Sequence, residues 1–458
     1  MLTALLAWIL FFLFRKVVVE KNPDNLLITE VVHNFDFYAG ITVVPIFWLA
    51  IYFLNGQYRF VFRKTIVGEF SNTFKTVLFG VIILFFTLLL DDVVKNYRNY
   101  YFTGSVLFGL HFILTLIPRI AISKIVASYI HAGKIKFNTI LIGKGKEAKD
   151  LYVELKNKKP TFGNNFLGYI NVANAEDLSE EEYLPYLGCL ENLPELVKTK
   201  EIQEIIIAVS TKDKNDISEI LSWLGFSEIT VKALPNLHSV LKGRVKITNI
   251  LGTPLLEIKH ELMPVWQQSL KQIIDIAVAT IALLTLSPIF IICAIGIKLT
   301  SRGPVFFKQE RIGKNGKPFK LIKFRSMHVD AEKDGPNLSS QNDQRRTPFG
   351  KILRSTKLDE IPNFINVLIG DMSLVGPRPE RQFYIDQIVS IAPHYMQLQK
   401  IKPGITSLGQ VKYGYARNVD EMTKRLRYDI LYIENMSLYT DLLIIYYTLT
   451  LLFKGRHV

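Results

Sequence analysis

Asp359 and Glu360 are adjacent carboxylates that open the stretch best suited to chemistry, TKLDEIPNFINVLIGDMSLVGPRPE (Thr356–Glu380). Pro362 follows two residues after the pair and is favoured in the first turn of a helix, and Gly370 is a typical helix end. The acids are therefore expected at a helix N-terminus, where backbone N–H groups favour anions. Such a pair suits a metal site or a nucleophile, although alone it would also suit a helix cap.

The same stretch ends in a stiff loop, Gly376-Pro377-Arg378-Pro379. Pro377 and Pro379 are poorly tolerated inside helices and sheets, so the loop holds the Arg378 guanidinium on a fixed backbone. A guanidinium in a fixed position suits the recognition of phosphate. Two acids and a rigid arginine together indicate phosphoryl-transfer chemistry.

Five further basic residues that precede the acids are candidates for contact with substrate. Two of them, Lys323 and Arg325, occupy alternate positions and are predicted to share one face of a strand. Their segment, KQERIGKNGKPFKLIKFRSM, is predicted to be a β-hairpin with an Asn-Gly turn. The five candidates are Lys308, Arg311, Lys323, Arg325 and Arg354.

The composition indicates a membrane-associated protein with an anionic partner. Of the 458 residues 49% are hydrophobic, and the mean hydropathy is positive, which is high for a soluble protein. The formal net charge of +14 suits lipid head groups or nucleotide phosphates. Because the basic residues are scattered, nucleic acid is not an expected partner. Two cysteines exclude a disulfide framework.

Residues 1–126 contain four apolar blocks that are predicted to be transmembrane helices. The blocks are Leu2–Phe14, Phe37–Leu54, Val77–Leu90 and Tyr101–Ile117. The first and third are short unless flanking residues join them, and buried helices of a soluble core are the alternative. Basic residues after the second and fourth blocks place those segments in the cytoplasm, whereas the basic residues after the first block fit this topology less well.

Residues 127–262 alternate predicted strands and helices, which indicates a Rossmann-like parallel α/β module. The predicted elements are strands Asn138–Gly143, Phe166–Val172, Glu204–Val209 and Glu228–Leu234 and helices Glu147–Lys156 and Asp213–Leu224. The turn GKGKEA after the first strand matches the dinucleotide pattern G-x-G-x-x-A. No acid stands at the end of the second strand, so a regulatory or structural module is favoured over a cofactor site.

Residues 263–300 contain an apolar run that Ser287 and Pro288 interrupt. The length would allow a straight span, but positive charge flanks both ends, which favours a re-entrant helix–break–helix. Pro288 would break the helix, and Ser287 would satisfy freed carbonyl groups. Residues 301–458 are predicted to form a monotopic, mostly helical α/β catalytic domain. Its apolar run Leu438–Phe453 is predicted to lie in the membrane interface, with a fifth span as the alternative.

Residues 267–458 resemble the bacterial sugar transferase domain, the catalytic part of the monotopic phosphoglycosyl transferases. The matching segments are the Ser287-Pro288 hairpin, KQERIGKNGKPFKLIKFRSM, TKLDEIPNFINVLIGDMSLVGPRPE, KPGIT and DILYIENMSLYTDL. The order of spans, Rossmann-like module and catalytic domain is similar to the large polyprenyl-phosphate hexose-1-phosphate transferases. One departure is KPGITSLGQV (Lys402–Val411), where many members have KPGITGWAQV, and this departure leaves the sugar open.

The resemblance implies transfer of a sugar 1-phosphate from a UDP-sugar to polyprenyl (undecaprenyl) phosphate, with UMP as the other product. This reaction starts the assembly of exopolysaccharide, capsule or O-antigen. The resemblance also implies that Asp359 is the nucleophile of a covalent phosphosugar intermediate, with Glu360 as its partner and Mg²⁺ bound by the pair. The expected location is the bacterial inner membrane, multi-pass, with the catalytic domain on the cytoplasmic face and a homodimer as one assembly.

Two other functions remain open. One is a membrane-anchored nucleotide-sugar epimerase or dehydratase, which would bind a nicotinamide cofactor in the α/β module. The sequence does contain Tyr152 and Lys156 at the spacing of the catalytic pair of such enzymes, but on the first helix, much earlier than in enzymes of that class. The other is a non-enzymatic envelope scaffold that recruits polysaccharide machinery.

Overall fold

The computed structural model describes residues 1–19, 35–59, 62, 64–89, 97–143, 146–158, 161–171, 184–208, 220, 229–234, 255–258, 262–331, 335, 343–414, 416 and 418–453. The chain divides into two compact units. The first consists of Met1–Lys136 with Lys159–Gly163, and the second of Phe137–Lys158 with Asn164–Val458.

Apolar helices build the first unit, because its sequence runs are hydrophobic on every side. The helices are α1 (Leu2–Phe14), α2 (Phe35–Leu54), α3 (Ile66–Leu84) and α4 (Tyr97–His131). By length and composition, α2, α3 with the turn that follows it, and α4 could cross a membrane. With 13 residues α1 is shorter, and a π-helical turn, Arg15–Val19, continues it. The chain is therefore a membrane protein, and a full crossing by the first block stays a prediction.

A six-stranded sheet begins the second unit. Its strands are β1 (Phe137–Ile142), β2 (Asn164–Asn171), β3 (Tyr186–Cys189), β4 (Glu204–Ile207), β5 (Thr230–Ala233) and β6 (Leu256–Ile258), and the helices α5 (Lys146–Asn157) and α6 (Leu193–Thr199) lie between strands in sequence. The strand order is 3-2-1-4-5-6, and every pair is parallel except β5–β6. The predicted parallel sheet is confirmed, with an added antiparallel edge. The predicted helix Asp213–Leu224 lies outside the described residues except for Ile220.

Gly143, the first glycine of GKGKEA, follows β1 with φ +141°. A Cβ at this position would collide with the carbonyl oxygen of Ala208, which follows β4. The close approach of two neighbouring chain segments thus requires glycine here, whatever the module binds. Lys144 and Gly145 lie outside the described residues, so dinucleotide binding by this turn stays a hypothesis.

Two helices and a mostly helical domain complete the second unit. The elements are α7 (Val265–Thr285), α8 (Ser287–Thr300), β7 (Phe306–Ile312), β8 (Pro318–Phe324), α9 (Pro348–Ser355), α10 (Asn363–Ile369), β9 (Ser373–Val375), α11 (Gln382–Ile391), β10 (Gly404–Thr406), α12 (Leu408–Lys412), α13 (Val419–Glu434) and α14 (Leu438–Phe453). The predicted hairpin is confirmed as the antiparallel pair β7–β8, and β9 pairs with β10 in parallel. Part of the loop before α9, residues 332–334 and 336–342, lies outside the described residues.

The helix end between α7 and α8 falls at Leu286, beside the two residues predicted to break the run. Ser287 Oγ donates a hydrogen bond to the carbonyl oxygen of Leu284 at 2.8 Å, and Pro288 occupies the first turn of α8, where it loses no helical hydrogen bond. Helix α7 is long and apolar enough to cross a membrane, whereas α8 is shorter. The re-entrant path of the pair stays a prediction.

Two charged residues one turn apart tie α7 to the C-terminal domain. Lys271 Nζ lies 2.6 Å from Asp441 Oδ2 at the start of α14. The buried Asp275 accepts hydrogen bonds from Ser373 Oγ at 2.7 Å and from the backbone N–H of Leu374 at 3.2 Å. Charges on an apolar helix are costly unless they are paired, so these contacts fix α7 against β9.

We expect Asp275→Ala to lower the free energy of unfolding by about 1–3 kcal/mol, because the Leu374 N–H would be buried without an acceptor. Thermal unfolding of the detergent-solubilised protein measures the effect. Gln272→Ala, an exposed position on the same helix, is the control. Equal melting temperatures for the two variants would contradict the assignment of Asp275 as an anchor.

Candidate active site

Asp359 and Glu360 lie in a 3-10 turn, Leu358–Glu360, between α9 and α10. Asp359 is only 7% exposed. Helix α10 itself begins at Asn363, after Pro362, and Gly370 ends it in a left-handed conformation (φ +94°). The acids thus stand one turn before the helix that was predicted to begin with them.

Glu360 is held by two cations from distant parts of the chain. Lys323 Nζ of β8 donates to Glu360 Oε1 at 2.6 Å, and Arg378 Nη2 of the proline-rich loop donates to the same oxygen at 3.3 Å. Burial alone would raise the pKa of Glu360, but the charges of Lys323 and Arg378 outweigh it and hold the pKa well below its usual range. Glu360 therefore stays ionised and fixed in place.

Asp359 has a different environment. Among the described residues, Glu360 forms ion pairs with Lys323 and Arg378, whereas no side chain forms an ion pair with the Asp359 carboxylate. Burial and the charge of Glu360 raise the pKa of Asp359, while Lys323, Arg354 and Lys357 oppose the rise. A buried carboxylate on which nearby cations act can act as a nucleophile.

Arg354 reaches this site from the last turn of α9. Its Nε donates to Ser326 Oγ at 3.0 Å, and its charge acts on the Asp359 carboxylate. Thr347 caps the start of α9 by accepting a hydrogen bond from the Gly350 N–H at 3.0 Å. The absence of a side chain at Gly350 lets the helix lie against the Ser326 carbonyl group. These contacts fix the guanidinium relative to the acids.

Helix α9 also rests on α8. Gly296 of α8 faces the ring of Phe349, and a Cβ there would come within 2.5 Å of that ring. Cys293, Ile297 and Leu353 are buried in the same apolar cluster, which Ile361 of the acid-bearing segment joins. The acid-bearing segment thus shares an apolar cluster with α8, the helix that begins at Ser287.

Backbone pairing of two loops holds Arg378. The N–H of Gly376 donates to the Thr406 carbonyl oxygen at 3.0 Å, and the N–H of Gly404 donates to the Pro377 carbonyl oxygen at 2.9 Å. Gly376 has no room for a side chain, because a Cβ would strike the backbone around Lys402. The proline-rich loop is therefore clamped against the KPGIT segment, with its arginine directed at Glu360.

Arg311 lies behind this loop rather than at the acid pair. Its Nη1 donates to the Pro379 carbonyl oxygen at 3.0 Å and lies 3.2 Å from Glu380 Oε2. Arg425 of α13 holds the other oxygen of Glu380 at 2.8 Å. Both arginines support the loop that carries Arg378.

Two other candidates are also placed away from the acids. In the hairpin Lys308 pairs with Ile322, whereas Lys323 pairs with Phe307, so the two lysines project from opposite faces. Lys308 is exposed. Of these two lysines, Lys323 is the one that contacts Glu360.

Arg325 follows the end of β8 at Phe324 and is 4% exposed. Its guanidinium donates to the carbonyl oxygens of Arg302 at 2.7 Å and Ser301 at 2.9 Å, where α8 ends. The Arg325 guanidinium therefore caps a helix C-terminus, whereas the Lys323 ammonium contacts Glu360. Sequence reasoning missed Ser326 and Lys357, although both flank predicted site residues.

The two acids were also the predicted magnesium ligands. Mg²⁺ commonly binds one or two carboxylates and completes its coordination with water and substrate phosphates. In the part of the chain that the structure describes, no group of three or more His, Cys, Asp or Glu side chains could hold a metal ion. The Asp359 carboxylate and the second oxygen of Glu360 fit the sparser arrangement, in which substrate supplies the remaining ligands.

Comparison with known proteins agrees with this geometry. Residues 266–455 match the family model described as bacterial sugar transferase. Residues 54–235 match a model described as a CoA-binding domain. The first match contains the acid pair, the proline-rich loop and the helices α7 and α8.

Several curated relatives are similar to this chain. The UDP-glucose:undecaprenyl-phosphate glucose-1-phosphate transferase of Klebsiella pneumoniae is 38% identical over 274 residues, 59% of this chain and 58% of that protein. The enzyme of the same name from Escherichia coli K12 is 33% identical over 312 residues, 67% of this chain and 65% of that protein. A shorter relative from Bacillus subtilis is 43% identical over 129 residues, 28% of this chain and 72% of that protein. The match thus covers less than two thirds of the two longer relatives.

Proposed function

Because the chain belongs to the bacterial sugar transferase family, we propose that it is an enzyme that transfers a sugar 1-phosphate from a UDP-sugar to polyprenyl phosphate. The products are polyprenyl-diphosphate-sugar and UMP. Undecaprenyl phosphate is the acceptor in the names of the relatives from Klebsiella and Escherichia coli. The reaction would start the assembly of a surface polysaccharide.

In the first half-reaction an Asp359 carboxylate oxygen attacks the phosphorus that bears the sugar. A bond forms between Asp359 and that phosphorus, the bond from the same phosphorus to the bridging oxygen breaks, and UMP leaves with this oxygen. Arg354 and Arg378 offset the charge that spreads over the phosphoryl oxygens. Glu360 is ionised and is held by Lys323, and this contact fixes the position of the acid pair.

In the second half-reaction an oxygen of polyprenyl phosphate attacks the same phosphorus. The bond between Asp359 and phosphorus breaks, the Asp359 carboxylate is regenerated, and the lipid diphosphate-sugar leaves. Two easier steps thus replace one difficult transfer between two anions. Magnesium, held by Asp359 and Glu360 together with the substrate phosphates, would neutralise charge on the donor diphosphate.

The acceptor requires a site at the membrane surface. Helix α14 supports this position, because Tyr439, Leu442 and Tyr446, which lie on one face, are all at least 62% exposed. The packing of α9 on α8 likewise links Arg354 to the predicted membrane hairpin. We place the catalytic domain on the cytoplasmic face of the bacterial inner membrane, since the positive charge of the flanking segments favours that face.

The observation that carries this proposal is the contrast within the acid pair, in which Glu360 is engaged by two cations and Asp359 is engaged by none of the described side chains. Its test is UMP release by the full chain in detergent or nanodiscs, with undecaprenyl phosphate, Mg²⁺ and a panel of UDP-sugars. We expect UMP with at least one donor and formation of the lipid-linked product. No UMP from any donor would contradict the proposal.

We expect Lys323→Met to move the acid limb of the pH profile of kcat/KM to higher pH. The Lys323 ammonium opposes the rise in the pKa of Asp359 that burial and Glu360 cause, so its removal raises this pKa further. Because attack needs the ionised carboxylate, activity falls when Asp359 is protonated. As the pH is lowered, the variant should therefore lose activity at a higher pH than the wild type does. Lys308→Met, on the other face of the hairpin, is the control, and coincident acid limbs for the two variants would contradict the electrostatic role of Lys323.

A further inference from the structure

Lys357 has an unusual backbone conformation. Among the described residues, only three that are not glycine have positive φ, namely Glu201, Asn315 and Lys357. Asn315 lies in the hairpin turn, and asparagine tolerates the left-handed region. Lys357 (φ +60°, ψ 13°) has no such tolerance, and it stands two residues before Asp359. A residue under backbone strain beside reactive groups prompts the question of what its side chain does.

The turn itself does not need a lysine. The N–H of Lys357 donates to the Arg354 carbonyl oxygen at 3.3 Å, and its own carbonyl oxygen accepts from the N–H of Glu360 at 3.2 Å. These bonds reverse the chain between α9 and the acid pair. Glycine or asparagine would make the same reversal with less strain, so backbone geometry does not account for the residue found here.

The side chain of Lys357 lies among the charged groups of the site. It is partly buried, and burial lowers its pKa, while the charges of Glu360 and Asp359 raise it and those of Arg378 and Arg354 lower it. The Lys357 ammonium is therefore within electrostatic range of both acids and both arginines. No other described residue combines a strained backbone with this position.

Lys323 and Arg378 are directed at Glu360. The charges of Arg354 and Lys357, together with that of Lys323, act on the Asp359 carboxylate. Cations that act on the nucleophile also act on the phosphoryl oxygens that reach it.

We infer that Lys357 binds the phosphoryl group that Asp359 receives, with its ammonium on the non-bridging oxygens. This inference rests on the proposed function and adds to it a binding residue. A lysine suits the role because its compact ammonium can follow the phosphorus from the donor to Asp359 and on to the acceptor. The left-handed turn places Lys357 two residues before the nucleophile.

The test compares UDP with UMP as ligands, because only UDP has a phosphate at the position of the transferred group. Titration calorimetry with Mg²⁺ is carried out on the full chain, wild type and Lys357→Asn. Asparagine tolerates the left-handed backbone, so we expect an unchanged or higher melting temperature. We expect at least tenfold weaker binding of UDP and binding of UMP within twofold of the wild type.

Lys357→Arg and Lys357→Gly complete the set. Lys357→Arg should bind UDP with an affinity within about threefold of the wild type. Lys357→Gly should lose UDP affinity to the same extent as Lys357→Asn, although glycine relieves the backbone strain. Unchanged UDP affinity in Lys357→Asn, or equal losses for UDP and UMP, would overturn the inference. These titrations do not depend on turnover. A wild type that releases no UMP would therefore count against the proposed function alone. The role of Lys357 would still be decided by the measured difference between the affinities for UDP and UMP.

Discussion

Asp359→Asn is expected to lower kcat for UMP release by at least about a thousandfold, because an amide cannot form the acyl phosphate that a carboxylate forms. The melting temperature should stay the same or rise. Burial and the Glu360 charge raise the pKa of Asp359 in the folded protein, so its ionised form costs stability at neutral pH, and a neutral amide removes that cost. Loss of activity without loss of stability is the signature of a reactive group.

Matched variants make this prediction specific. Asp420→Asn removes an exposed acid at the start of α13 and should leave both quantities unchanged. Full turnover by Asp359→Asn would refute the assignment of the nucleophile. It would also favour the scaffold hypothesis if polysaccharide assembly in cells were unaffected.

Glu380→Ala is expected to lower the free energy of unfolding by about 3–5 kcal/mol, because removal of one partner leaves buried charge without compensation. Glu380 and Arg425 are each 5% exposed, and Arg311 holds the second carboxylate oxygen. The loss should also reduce turnover, since these two arginines hold the loop that directs Arg378 at Glu360. Thermal unfolding and UMP release measure the two effects.

Glu310→Ala is the control for this substitution, because Glu310 is an exposed glutamate on β7. An exposed charge contributes little, so its removal should change the melting temperature by no more than a degree or so. If Glu380→Ala and Glu310→Ala had the same melting temperature, the buried cluster of Glu380, Arg311 and Arg425 would not hold the proline-rich loop. A stable but inactive Glu380→Ala would instead give Glu380 a more direct role in binding.

Local patterns predicted much of the catalytic domain. Asn315 and Gly316 fixed the turn of the β7–β8 hairpin, and Gly370 marked the end of α10. Glycine and proline constrain the backbone over a few residues, so their effect can be read from the sequence. The strands β3 and β6, of four and three residues, were missed.

Pairings over long separations were not predictable in the same way. Lys323 and Arg325 alternate in sequence, but the strand ends at Phe324 and the guanidinium of Arg325 turns to the end of α8. Which lysine of the hairpin reaches Glu360 depends on the register of β7 against β8, which places Lys308 on the opposite face. Burial and register are tertiary properties, and side-chain spacing alone does not determine them.

The backbone of Lys357 illustrates a third limit. Nothing in the segment TKLDE distinguishes a left-handed lysine from an ordinary one, because the conformation follows from how α9 and α10 are held by the rest of the domain. Arg354 is fixed by Ser326 on one side, and Asn366 of α10 is fixed on β8 by hydrogen bonds with Ile322 and Lys320 on the other. The connecting turn must span these two anchors.

We propose that the sugar phosphate passes through a covalent bond to Asp359. The most direct measurement is intact-protein and peptide mass spectrometry after mixing the wild type with UDP-sugar and Mg²⁺ in the absence of polyprenyl phosphate. We expect a burst of UMP of up to one equivalent and a mass increase of one sugar phosphate on the peptide that contains Asp359, and we expect the added mass to be lost when undecaprenyl phosphate is added. UMP release that requires the acceptor, with no adduct at any time, would contradict it.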